Sequence, residues 1–195
     1  MAAWFDRVIA TDASVEQISQ AAPHDKVEYR IASAESSGLP SQSADLVTVA
    51  QGLHWLDPAA FFAEAKRVLR PGGAIAVWCY GDPILDTAEL HEILHRFNRV
   101  TIEDYWLPER DLVLDGYRSI EFPFSEIETP EFKLTRDINL AQLMGYVRSW
   151  SATARFVAAN GTEKVEQLEF DLAEHWGDPD ETRRVEAPLS LRAGY

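Results

Sequence analysis

One cysteine, Cys79, stands in 195 residues. It cannot form an internal disulfide. Its place in the apolar run Ala74–Tyr80 marks it as a packing residue, and a reducing cytoplasmic setting fits. Basic residues are also scarce, 18 Lys and Arg against 32 Asp and Glu, for a net charge of −14. Such a field repels phosphate backbones and anionic lipid, which argues against nucleic-acid or membrane-surface partners. No stretch approaches the ~20 apolar residues needed to cross a bilayer. Met1–Asp6 lacks the basic start and apolar run of a secretory signal. Glycine occurs 10 times, yet no two glycines take Gly-x-Gly spacing. That excludes a glycine-rich loop of the kind that lets backbone approach a nucleotide cofactor. Repeats and low-complexity tracts are absent.

What is present is enough for one domain with a core. Arg7–Asp12 is a short apolar run ending in an acid and predicts a strand buried on both faces. Ala13–Ala22 predicts a helix, with Ser14 and Gln17 spaced for a capping box. Val27–Ala32 alternates like a strand, Ser36–Ser43 is a loop, and Asp45–Ala50 is a third strand. Pro58–Leu69 predicts a helix with Phe61, Phe62, Ala65, Val68 and Leu69 on one face. Pro71-Gly72-Gly73 stops it before a strand at Ile75–Trp78. Strands alternating with helices imply a parallel, doubly wound α/β sheet. Ligands in such sheets bind at the carboxyl ends of the strands, which places Asp12, Ser33–Glu35, Gln51–Trp55 and Tyr80–Gly81 along one edge.

Beyond Gly81 the pattern changes. Thr87–Phe97 predicts a helix, and residues 98–123 mix aromatics, charge and turn residues. Ser125–Leu134 predicts a strand that Pro130 holds at an edge. Leu140–Val157 and Thr162–His175 predict helices, and Val185–Leu191 a last strand, forming a late antiparallel pair. The chain therefore reads as one domain, 1–195, with its core at about 1–81 and 124–195 and an inserted helical and aromatic lid at about 82–123.

Four segments in order carry a resemblance: Val8-Ile-Ala-Thr-Asp-Ala-Ser14, Ala32-Ser-Ala-Glu35 with Leu39-Pro40, Asp45-Leu-Val-Thr-Val-Ala-Gln-Gly-Leu-His-Trp55, and Leu69-Arg-Pro-Gly-Gly73. Together they resemble the second to fifth strands of class I S-adenosylmethionine-dependent methyltransferases with a Rossmann-like sheet. The whole chain is similar to the small-molecule branch that includes trans-aconitate methyltransferase-like proteins. The resemblance implies methyl transfer to a small molecule, a carboxylic acid among the candidates, with S-adenosylmethionine as cofactor. It implies that Asp12 and Ala13 receive the cofactor's ribose and that Ser33, Ala34 and Glu35 line the adenine. Gln51, His54 and Trp55 would lie beside the transferred methyl, with His54 the candidate for removing a proton from an acceptor hydroxyl. Tyr146, Arg148 and Trp150 would sit on a helix that closes the pocket, and Arg148 and Arg155 could hold a carboxylate by paired hydrogen bonds. Each assignment has a plainer counterpart: a helix-capping Asp12, a solvated Ser33–Glu35 loop, a structural His54, a surface Arg148.

The family's first strand, which carries the glycine-rich loop and lies mid-sheet, has no counterpart here. Met1–Asp6 resembles only the last turn of the following helix. The expectation is an N-terminally short methyltransferase whose sheet lacks its central strand. Its open strands would invite self-association, and a catalytically inactive remnant or partner protein is the alternative. Two further alternatives remain. A nicotinamide-dependent dehydrogenase also uses an acid at the second strand's tip. His91-Glu-Ile-Leu-His95 matches the zinc-hydrolase pattern, with Glu92 as base and Glu103 or Glu121 as a third ligand by position.

Overall fold

A computed structural model describes residues 1–195. In chain order its elements are β1 (Val8–Asp12), α1 (Val15–Ser19), β2 (Val27–Ile31), β3 (Ala44–Ala50), α2 (Pro58–Val68), β4 (Leu69–Tyr80), β5 (Ile84–Leu85) and α3 (Ala88–Arg96). Then come α4 (Arg110–Leu114), β6 (Glu126–Ile127), β7 (Phe132–Ile138), α5 (Leu140–Ser149), α6 (Ser151–Asn160), α7 (Glu163–Trp176) and β8 (Arg183–Gly194). This is the mixed α/β, Rossmann-like order that the sequence predicts. The chain divides into two compact units, one of residues 1–78, 118–129 and 191–195 and the other of 79–117 and 130–190. The expected insertion at 82–123 is itself divided, with 82–117 in the second unit and 118–123 in the first.

In the first unit β1 pairs in parallel with β2, from Val8↔Val27 to Asp12↔Ile31. β3 pairs in parallel with β4, from Leu46↔Ala74 to Ala50↔Trp78. No strand joins the two pairs: β1–β2 is a sheet of its own, and β3 has a strand on one side only. The gap expected at the middle of the sheet is therefore present. It also corrects the expectation that β1 is buried on both faces, because no residue of β1 or β2 is fully buried. A two-stranded ribbon has no flanking strands to enclose it.

Asp57 opens α2 by accepting the Ala60 N–H at 3.0 Å, and Pro58 occupies the first turn, where its missing donor costs nothing. The face predicted from periodicity is buried: Phe61, Phe62, Ala65, Val68 and Leu69. Phe62 meets the edges of Phe122 and Phe124 at 5.6 and 6.0 Å between ring centres. Residues 70–73 bulge out of β4 between the pairs Ala44↔Leu69 and Leu46↔Ala74. Two glycines permit this. Gly72 has φ +78°, and a Cβ on Gly73 would lie 3.0 Å from the Arg70 carbonyl oxygen.

Residues 118–129 and 191–195 complete this unit. β6 pairs antiparallel with Ala193 and Gly194, and the Ser125 N–H donates to the Tyr195 carbonyl at 3.0 Å. The Arg192 guanidinium holds Glu126 at 2.8 and 2.9 Å, donates to the Ile120 carbonyl at 2.7 Å and covers the Phe122 ring at 4.7 Å.

In the second unit β5 and β7 both pair antiparallel with β8, β7 from Phe132↔Leu189 to Ile138↔Arg183. Residues of α3, α5, α6 and α7, among them Leu94, Leu143, Val147, Phe156, Leu172 and Trp176, form one apolar core. Phe97 and Ile102 join it, so the predicted aromatic insertion is part of that core. Two sequence expectations are corrected here. The helix expected over 140–157 is broken at Trp150, whose backbone is extended (φ −66°, ψ 134°) between α5 and α6. The strand expected over 125–134 becomes two, β6 and β7, because Pro130 between them has no N–H to donate to a ladder. Cys79 is buried, and burial pushes its thiol up to about 11. No helix is long and apolar enough to cross a membrane.

Candidate functional site

In the first unit the carboxyl ends of β1 and β2 meet. The Ala32 N–H donates to the Asp12 carbonyl at 3.1 Å, which ties the loop after β2 to the tip of β1. Asp12 is exposed. Its Oδ1 accepts the Ser14 N–H at 2.8 Å, and its Oδ2 takes no hydrogen bond from the chain. The cap of α1 is Ser14, which accepts the Gln17 N–H at 3.2 Å, so Asp12 is not the helix cap. One carboxylate oxygen is thus fixed by the turn, and the other remains available to a hydroxyl. Ala13 lies exposed beside it.

The loop after β2 is tightly braced. The Ser33 hydroxyl donates to the Glu35 carboxylate and accepts the Glu35 N–H at 3.1 Å. The hydrogen bond from Ser33 holds the Glu35 carboxyl below its usual range. Ala34 sits between them, half-buried. The other Glu35 oxygen accepts the Asp57 N–H at 3.1 Å, at the start of α2. Glu64 on α2 takes both the N–H and the hydroxyl of Ser37, at 2.9 and 2.5 Å. Arg67, one turn on, binds Glu64 at 2.7 Å, the Leu39 carbonyl at 2.7 Å and the Ser41 hydroxyl at 3.1 Å. The Arg67 guanidinium, with help from Ser37, lowers the Glu64 carboxyl to about 2. This clamp was not anticipated from the sequence; the Glu64–Arg67 spacing on a predicted helix is the one signal for it.

β3 is followed by Gln51, whose φ of +51° lies in the left-handed region that non-glycine residues seldom adopt. Its N–H donates to the Trp78 carbonyl at 2.9 Å, so the strained turn is held against β4. Gly52 then opens a 3-10 turn over Leu53–Trp55. His54 is buried and Trp55 exposed, with ring centres 4.7 Å apart.

The second unit contains the other predicted residues. Tyr146 and Trp150 on α5 and at its end meet edge to face at 5.5 Å. Burial raises the Tyr146 phenol, with Tyr80 and Asp82 adding to this and the Trp150 indole opposing it. Arg148 lies two residues on, turned to another face of α5, and pairs with Glu169 of α7 while about half exposed. That engagement matches its plainer counterpart.

Beneath this cluster lies a polar network that the sequence did not reveal. Arg110 is buried, stacks over Trp106 at 4.1 Å and donates to Asp82 at 2.8 Å, Asn98 at 3.3 Å and Glu103 at 3.3 Å. Arg99 holds Asp82 at 2.9 Å, and the Trp106 indole donates to Asn98 at 3.0 Å. No periodicity or spacing connects these residues in the sequence.

His91 and His95 share a face of α3, with ring centres 5.8 Å apart. Glu103 is engaged by Arg99 and Arg110, and Glu121 belongs to the first unit. No group of three or more His, Cys, Asp or Glu side chains is placed to hold a metal ion. The zinc reading is therefore not carried further.

The exposed acid and the braced loop beside it stand at the carboxyl ends of strands, where α/β folds bind their ligands. Residues 1–77 match the methyltransferase domain family. A protein named as a methyltransferase in Dictyostelium discoideum is 32% identical over 182 residues, covering 92% of this chain and 69% of its own length. An uncharacterized methyltransferase of Mycobacterium tuberculosis is 31% identical over 147 residues, and the match covers 74% of this chain and 55% of that protein. A solved structure described as a type II methyltransferase of Anaeromyxobacter dehalogenans is 36% identical, with a TM-score of 0.90 over 99% of this chain and 82% of that one. The chain belongs to the S-adenosylmethionine-dependent methyltransferase family.

Proposed function

We propose that this chain binds S-adenosylmethionine through the tip of β1 and the loop after β2, for methyl transfer to a small molecule. The observation that carries the reading is the divided Asp12 carboxylate, with Oδ1 spent on Ser14 and Oδ2 exposed. A charged acceptor at that point suits the ribose hydroxyls. Ser33 suits the adenine amine, with Ala34 lining the loop, and Glu35 acts by holding Ser33 and Asp57. The chain has no glycine-rich segment for the cofactor's methionine portion. The residues present fit the ribose and adenine portions.

When bound, the cofactor supplies a methyl group on a sulfonium: an acceptor lone pair forms the new bond to carbon as the carbon–sulfur bond breaks, its electrons staying on sulfur. Gln51, His54 and Trp55 are assigned to the reacting side. His54 takes the proton from an acceptor that carries one, and Trp55 provides an aromatic wall. Open edges on β1 and β3 favour self-association as part of the same reading.

The test is calorimetric titration of the folded chain with S-adenosylhomocysteine, repeated with Asp12→Asn. Loss of one charge-assisted acceptor should weaken binding about tenfold or more. Absence of binding by a well-folded protein, or equal affinity in Asp12→Asn, would overturn the proposal and leave the inactive-remnant reading.

A further inference from the structure

In the second unit β7 is an edge strand. β5 and β7 both pair with Val185 and Glu186 of β8, so they lie on opposite sides of it, and no strand stands beyond β7. Residues 132–137 are all exposed, Phe132 and Leu134 each by 43%. A strand with one side unpaired offers a row of backbone N–H and C=O groups to another strand. Alternation sets its two faces. Phe132, Leu134 and Arg136 stand on the face of Leu189, Ala187 and Val185, and the last two of these are buried. Ile138 continues that face. Lys133, Thr135 and Asp137 stand on the other, opposite Pro188, Glu186 and Arg184.

The order of charges decides which strand fits, because β7 is complementary to itself read backwards. A two-fold axis normal to a sheet keeps each face on its own side, so a residue meets only residues of its own face. Centred on Thr135, two antiparallel copies of β7 set Lys133 opposite Asp137 twice and Phe132 opposite Ile138 twice. Leu134 then meets the aliphatic stem of Arg136. The neighbouring registers are worse. Centred on Leu134, Glu131 faces Asp137; centred on Lys133, Arg136 or Asp137, a charge faces its own copy. Opposite charges and apolar pairs across strands are favourable, and like charges are not. The favoured register also extends contacts already present. Asp137 pairs with Arg184 at 3.4 Å and Lys133 with Glu186 at 3.0 Å, so each would stand between two charges of the opposite sign.

We propose that β7 joins two copies of this chain in a symmetric antiparallel dimer centred on Thr135, with Lys133 of each copy paired to Asp137 of the other. The pairing uses the second unit alone. It is independent of the cofactor reading and of the open edges of β1 and β3. A seven-residue strand pair is a small interface, so the dimer is weak, with a dissociation constant in the micromolar range.

The experiment is analytical ultracentrifugation of the full chain at concentrations up to about 300 μM. Salt is held at about 0.15 M, where the repulsion between two copies of net charge −14 reaches only about 8 Å. Lys133→Asp alone and Asp137→Lys alone each set like charges opposite one another twice, and each should weaken the dimer about tenfold or more. Mixed one to one, the two variants should form a heterodimer of near-native affinity, because each supplies the sign that the other lacks. Both side chains are exposed, so circular dichroism should show the native fold in each variant. A native chain that stays monomeric throughout would overturn the pairing. So would a dimer that neither reversal weakens, or two weakened variants that do not recover on mixing.

Discussion

Glu35 accepts the Asp57 N–H at 3.1 Å, so an acid in the loop after β2 is fastened to the residue that caps α2. The same carboxylate holds Ser33. An acid at this position therefore works chiefly as a brace and sets where Ser33 stands. Glu35→Ala should release the loop while leaving the core of α2 in place. The expected outcome is faster amide exchange over residues 33–39 and S-adenosylhomocysteine affinity lowered about three- to tenfold, with the melting temperature little changed. Glu35→Gln, which retains an acceptor, should fall between. Unaltered exchange in the alanine variant would show that the brace is not needed.

Glu64 gives a pH signature. Its folded carboxyl lies at about 2, well below the 4.5 of a free glutamate. A depressed carboxyl contributes stability that is fully present above its unfolded value and is lost as pH falls through the folded one. The clamp on Ser37 and Arg67 should therefore weaken between about pH 4.5 and pH 2. Glu64→Gln should flatten that part of the stability curve, measured by denaturant unfolding across the acid range. A variant curve parallel to the native one would sink the assignment.

Arg110 and Arg184 are expected to differ sharply in value. The Arg110 side chain is 9% exposed and shared by Asp82 and Glu103; the Arg184–Asp137 pair, at 3.4 Å, is 60% and 57% exposed. Removing the first leaves acids without their partner and the Trp106 ring uncovered. Arg110→Ala should cost about 3 kcal/mol or more, and Arg184→Ala between about 0 and 1 kcal/mol. Thermal or urea unfolding of the two variants checks this. Equal costs would mean that the network carries no special weight.

The parts legible in the sequence were those with a local signature. The apolar stripe Phe61, Phe62, Ala65, Val68 gave α2 to within one residue, and Pro71–Gly73 gave its stop. The acid ending β1 and the Ser14 cap follow from short-range chemistry. Trp150 shows where that approach fails: residues 140–157 keep one helical period, yet the backbone turns extended in the middle. The Arg110 network joins segments far apart in sequence, and no pattern within one segment encodes it. The half-burial of β1 depends on which strands stand beside it, and a single strand's composition does not report that.

Residues 118–129 and 191–195 have one more consequence, for the order of events on the ribosome. Arg192 reaches Glu126 and Ile120, and Tyr195 pairs with Ser125, within the same unit that holds residues 1–78. Synthesis delivers β1 to β4 well before Arg192. The nascent first unit must wait, with the Phe62 face lacking Phe122 and Phe124, while the whole of the second unit's helices emerges. Until β8 is released from the exit tunnel, that waiting surface is exposed to chaperones and to neighbouring chains.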